Sequence, residues 1–86
     1  MAKQFAYVYF MKQEPAKIQS VVPLHVEYWK KGNLSGNIGG PFADKSGGLI
    51  TFKAESMAEA TNIIMADPFV SEDLLEEKWI KEWLVE

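Results

Sequence analysis

Residues 4–11 read QFAYVYFM, with Phe5, Tyr7, Tyr9 and Met11 on one parity and Ala6, Val8 and Phe10 on the other. Side chains of a strand alternate between its two faces, so this segment offers no face suited to water. It belongs in the interior of a sheet that is covered on both sides. The chain has 86 residues, enough for one compact domain spanning 1–86 and too few for two independent cores. An apolar fraction of 48% with 13% aromatics is rich for that size, so part of the cover is expected to come from a second subunit.

The remaining segments supply the rest of a small α+β fold. QEPAKIQSVVPLHVEYWKKG has helical spacing, but Pro23 removes a hydrogen bond and its ring clashes with the preceding turn. A helix restarting with Pro23 in its first turn is therefore expected, with Gly32 and Asn33 as its stop. NLSGNIGGPF and GGLITFKAE read as two strands of a hairpin joined through ADKSGG. SMAEATNIIMADP opens with Ser56 and carries Glu59 three positions on, a capping box, and it stops at Asp67-Pro68. After a turn through FVSEDLLE, KWIKEWLVE alternates as a final strand. The order β-α-β-β-α-β is that of the ferredoxin-like split motif, a four-stranded antiparallel sheet with both helices on one face. The bare face, with Trp79 and Trp83 on one parity, is where a homodimer is expected to form.

Several functions are disfavoured by composition. The formal charge is −3, from nine basic and twelve acidic residues, and no basic run alternates with aromatics, so a nucleic-acid surface is not expected. The chain has no cysteine and one histidine, too few soft ligands for a zinc site. The acidic residues Glu72, Asp73, Glu76 and Glu77 lack calcium-loop spacing and read as a solvated face. No apolar run approaches the roughly 20 residues that span a bilayer, and the amino terminus lacks a signal-peptide pattern. A cytoplasmic protein without metal or cofactor is expected.

The single histidine, His25, is the main chemical lead. In the first turn of a restarted helix, the dipole would favour its neutral, proton-accepting form. Tyr28 and Trp29, at i+3 and i+4, share its side of the helix and are expected to wall a pocket. The alternative is a hydrogen-bonded packing histidine. Asp67, at the unfavourable end of the second helix, is a candidate partner that would fix the imidazole tautomer; it reads equally as the polar residue of an Asp-Pro turn. Gly39 and Gly40 are candidates for backbone contact with a ligand, with Pro41 fixing the turn that follows, or simply for a strand end that needs small residues. Phe42 is a candidate apolar wall.

Four stretches in order, PLHVEYWKKG, GGPF, GGLITFKAESMAEA and ADPFV, resemble the YciI-like proteins along nearly the whole chain. That resemblance implies a dimeric α+β barrel of the ferredoxin-like class, with a site built on His25 and Asp67. Dehydrohalogenation and related eliminations in aromatic catabolism are among the activities associated with the group. Family members often carry Arg where this chain has Val22, and many have Gly where it has Asp73. The first difference removes a candidate anion-binding group. The resulting expectation is a cofactor-independent enzyme of lyase or isomerase type, moving a proton on a small organic acid or phenol, cyclic and aromatic ones included. A non-catalytic dimeric module that binds a small molecule or a protein is the alternative.

Overall fold

The computed structural model describes residues 2–86. Four strands, β1 (Lys3–Met11), β2 (Ile38–Pro41), β3 (Gly47–Ala54) and β4 (Leu75–Glu82), form one antiparallel sheet in the order β2-β3-β1-β4. The helices are α1 (Pro15–Gly32), α2 (Met57–Met65) and a short α3 (Pro68–Ser71). This is the ferredoxin-like α+β arrangement, with α3 standing where a plain turn was expected.

β1 occupies the centre, as its two apolar parities require. Phe5, Tyr7 and Tyr9 are buried on the helix side, where Phe5 pairs with Phe52 and Tyr7 with Ile50 of β3. Val21 and Trp29 of α1 and Ala60 and Ile64 of α2 close this core. Fully burying side chains of this kind stabilises by about 1.5–3 kcal/mol each before entropy is counted. Ala6, Val8 and Phe10 face the other way and are half-buried. There Phe10 lies 6.0 Å from Phe42 and 6.3 Å from Trp79, ring centre to ring centre.

Three expectations are corrected. α1 does not restart at Pro23 but runs through it. Pro23 and Gln19, whose carbonyl loses its donor, are both exposed, so water can satisfy that carbonyl, while Val21, His25 and Trp29 hold both halves against the sheet. β2 is shorter than expected, because Asn33 turns left-handed (φ 47°) and ends α1, and Gly36 (φ 66°) turns again before pairing begins at Ile38. β4 begins at Leu75 rather than Lys78, its Leu75 reaching Met11 across an irregularity in register. It ends at Glu82, although the Trp83 amide still donates to the Gln4 carbonyl.

The capping signal at α2 holds. The Ser56 hydroxyl accepts from the Glu59 amide at 3.1 Å, and the Glu59 carboxylate accepts from the Glu55 amide rather than from that of Ser56. Among the described residues no helix is long and apolar enough to cross a membrane.

Candidate functional site

His25 sits mid-helix in α1, so the dipole argument for its neutral form does not apply; a side-chain partner orients it instead. Its Nδ1 lies 2.8 Å and 3.0 Å from the two carboxylate oxygens of Asp67. Asp67 directly follows the end of α2, its amide donating to the Ile64 carbonyl, and it also opens the next helix. Ala66 caps α2, and Asp67 caps α3, accepting the Phe69 amide at 2.9 Å with Pro68 in the first helical position. Trp29, one turn on from His25, donates its indole N–H to Asp67 Oδ2 at 3.0 Å. A fully buried carboxyl thus takes three donors, from an imidazole, an indole and a backbone amide.

That set of donors decides the tautomer. A carboxylate only accepts, and the indole and amide only donate, so His25 Nδ1 must carry the shared proton. In the neutral imidazole Nε2 is then the ring nitrogen with a lone pair. The imidazole is further fixed by Phe69, stacked on it at 3.9 Å and 10°, and by Tyr9, edge-on at 5.8 Å.

His25 lines a cleft of about 640 Å³ between α1 and the β2 edge of the sheet. Ile18, Val22, Val26, Trp29 and Lys30 of α1 form one wall, and Gly39, Gly40 and Pro41 of β2 the other. Tyr9, Met11, Gly47 and Ile50 lie at the floor, Phe69 at one end, and Asn37 and Lys45 complete the lining. The wall is mostly apolar; its charged side chains are two lysines, and no carboxylate faces it.

Of the residues singled out from sequence, His25, Asp67 and Trp29 are brought together, and Gly39, Gly40 and Pro41 share the cleft with His25. Two are placed elsewhere. Tyr28 turns to the opposite flank of α1, where its hydroxyl donates to the Ile63 carbonyl and it lines a separate hollow with Leu34. Its i+3 offset from His25 rotates it toward α2, whereas the i+4 offset keeps Trp29 in line. Phe42 packs on Phe10, on the open face of the sheet, because it follows β2 and leads into the hairpin turn. Gly40 is also less constrained than expected, since a Cβ there would meet no atom within 4 Å.

Sequence reasoning missed Phe69, Tyr9, Lys30 and Lys45. Tyr9 sits on the same parity as Phe5 and Tyr7, so alternation alone marks it as core. Burial first and the Asp67 charge second raise the phenols of Tyr7, Tyr9 and Tyr28 above their usual range, Tyr9 to about 12. Among the described residues no group of three metal-binding side chains occurs.

The sequence matches the family model of the YCII-related domain over residues 5–84. The chain belongs to that family. No curated protein matches it in sequence. Among solved structures, the chain is similar to 5-chloro-2-hydroxyhydroquinone dehydrochlorinase (TftG) from Burkholderia phenoliruptrix, in complex with 2,5-dihydroxybenzoquinone. The TM-score is 0.78 at 20% identity, over 94% of this chain and 93% of the other. It is also similar to Rv0793 from Mycobacterium tuberculosis (TM-score 0.57, 7% identity, 100% and 98% covered). A third likeness is to SnoaB, a cofactor-independent oxygenase from Streptomyces nogalater (TM-score 0.51, 10% identity, 99% and 95% covered). At these identities the likeness is one of fold.

Proposed function

We propose that the chain is a small cofactor-independent enzyme in which His25 moves a proton on a small organic acid or phenol that occupies the cleft. The observation that carries this reading is the coupling of His25 Nδ1 to a buried, fully hydrogen-bonded Asp67, which frees Nε2 for a roomy, largely apolar cavity. In the neutral imidazole Nε2 is the base; once protonated, the same nitrogen returns the proton to substrate or leaving group. Asp67 is a positioning residue that holds the tautomer and stabilises the imidazolium.

Elimination suits the arrangement, because one properly placed base removes the proton and the leaving group departs with the electron pair. The likeness to a dehydrochlorinase supports that class. Lys30 and Lys45, with no facing carboxylate, favour an anionic or oxygen-rich substrate. The open sheet face supports a homodimer as the working unit, with Phe10, Phe42 and Trp79 in its core.

The test is a screen of halogenated hydroquinones and hydroxyquinones for halide release, repeated with His25→Ala and Asp67→Asn. Loss of about 100-fold or more in turnover is expected for each variant. A rate unchanged in Asp67→Asn on a turned-over substrate sinks the pair. Tight retention of such ligands without turnover would make the protein a binding module instead.

A further inference from the structure

We infer that Tyr9 is a second catalytic residue of this cleft, a hydrogen-bond donor to the substrate oxygen that gains negative charge when His25 takes the proton. The inference rests on the proton-transfer reading above and adds the donor that stabilises the charge left on the substrate oxygen.

Tyr7 and Tyr9 are neighbours on the same face of β1, with rings 5.1 Å apart, but their hydroxyls end differently. That of Tyr7 is sealed from solvent without a hydrogen-bond partner. The Tyr9 side chain is buried except for 4% of its surface and lines the cleft beside His25. Among the described residues its hydroxyl has no partner within the chain, yet it is not among the groups sealed from solvent. Its remaining contact is therefore with the cleft.

The opposite strand makes room for it. A Cβ at Gly48 would lie 2.3 Å from the Tyr9 hydroxyl and 2.8 Å from the Gly40 carbonyl oxygen, so this glycine admits the phenol toward the β2 wall of the cleft. The hydroxyl is thereby set against the same cavity that His25 enters from α1. A ligand bridging the two would present its acidic C–H or O–H to His25 Nε2 and a conjugated oxygen to Tyr9. As the bond to hydrogen breaks, its electron pair delocalises onto that oxygen, and the Tyr9 O–H donates to the growing charge without giving up its proton. Burial and the Asp67 charge keep the phenol protonated at neutral pH, so a donor is always present.

The ligand class that follows is a planar molecule with an enolisable or phenolic oxygen. Two probes separate the donor from general packing: 4-nitrophenolate, which carries the oxyanion, and nitrobenzene, which lacks it. Binding is measured at mildly alkaline pH, where the first probe is ionised and Tyr9 is not. The wild-type protein is expected to favour 4-nitrophenolate, and Tyr9→Phe to lose about tenfold or more of that preference while nitrobenzene affinity holds. Circular dichroism checks the fold of the variant. A second measurement needs no substitution: with tyrosine labelled by ¹³C at Cζ, the Tyr9 signal should move when 4-nitrophenolate binds and stay when nitrobenzene binds. An unchanged preference in Tyr9→Phe, or a wild-type protein that does not retain 4-nitrophenolate, overturns the assignment. The His25–Asp67 pair is read separately, from the pH titration of the His25 ring signals in Asp67→Asn. Coupling there with no effect of Tyr9→Phe removes Tyr9 alone; the reverse pattern leaves the donor and removes the base.

Discussion

The helix side of the sheet and its open side are both lined by aromatics, and they differ in what their polar atoms do. On the helix side Tyr7, Tyr9, Trp29 and Phe69 surround the buried His25–Asp67 pair, where indole and imidazole nitrogens and a backbone amide converge on one carboxylate. On the open side the Phe10 ring lies tilted against Phe42 and edge-on to Trp79, and the Trp79 indole donates to an exposed Glu77 carboxylate. A buried polar network is costly when one member is missing, because the others lose water without gaining a partner. An exposed apolar patch is costly only while nothing covers it. The proposed chemistry draws on the first side and the proposed homodimer on the second.

The largest break of that contrast is on the helix side. Asp67→Ala leaves an imidazole, an indole and an amide without their acceptor and is expected to cost about 3–5 kcal/mol in chemical denaturation. Leu49, on the open face, is 39% exposed, and Leu49→Ala should cost under about 1 kcal/mol in a protein held monomeric. Comparable losses at the two sites would erase the distinction.

The open side is probed by association. In the proposed homodimer, Trp79→Glu places a charge among Phe10 and its neighbours and is expected to shift dimer dissociation by about 100-fold or more in sedimentation equilibrium, while leaving the circular dichroism of the fold unchanged. A variant that stays dimeric would move the interface elsewhere.

Alkaline pH sharpens the contrast within the helix side. A phenol raised to about 12 in the folded chain keeps its proton after the unfolded chain has begun to lose its own near 10. The unfolded state then binds fewer protons, so stability from this group is complete below pH ~10 and falls as pH rises through the folded value. The fall amounts to at most ~1.4 kcal/mol per pH unit for one tyrosine, and Tyr9→Phe should flatten it in denaturation curves taken above pH ~10. An equal slope in that variant would assign the loss to other groups.

A smaller effect separates the two tyrosines at neutral pH. Tyr7→Phe removes a buried hydroxyl without a partner and should leave stability equal or raise it by up to about 1 kcal/mol. Smallest of all, the Trp29 indole N–H resonance should move upfield in Asp67→Asn, because a charged acceptor is exchanged for a neutral one. A resonance that stays would mean that the indole is not held by Asp67 in solution.

Much of this fold was legible from local chemistry. Two apolar parities in residues 4–11 demanded a central strand, and Ser56 with Glu59 marked the start of α2, since both signals depend on neighbours in sequence. Pro23 misled because a local clash was weighed without the stripe of Val21, His25 and Trp29, whose packing on the sheet keeps the helix continuous. α3 escaped because one helical turn has no period to detect. For the site, residue type alone nominated His25 and Asp67, yet their separation of 42 in sequence closes only through the fold. Trp29 was nominated as a wall, and its indole turned out to be a third hand on Asp67.

What the sequence by itself determined, then, is the set of elements and the scarcity of chemistry: one histidine, no cysteine, and a strand that water cannot face. Tertiary structure alone decided which of two like tyrosines reaches the cleft, that Tyr28 leaves it while Trp29 stays, and that Asp67 serves both α3 and His25. The reason is geometric. Alternation and helical spacing tell which side of an element a residue takes, whereas the position of a hydroxyl or a carboxylate depends on what the opposite element leaves empty, as Gly48 does for Tyr9.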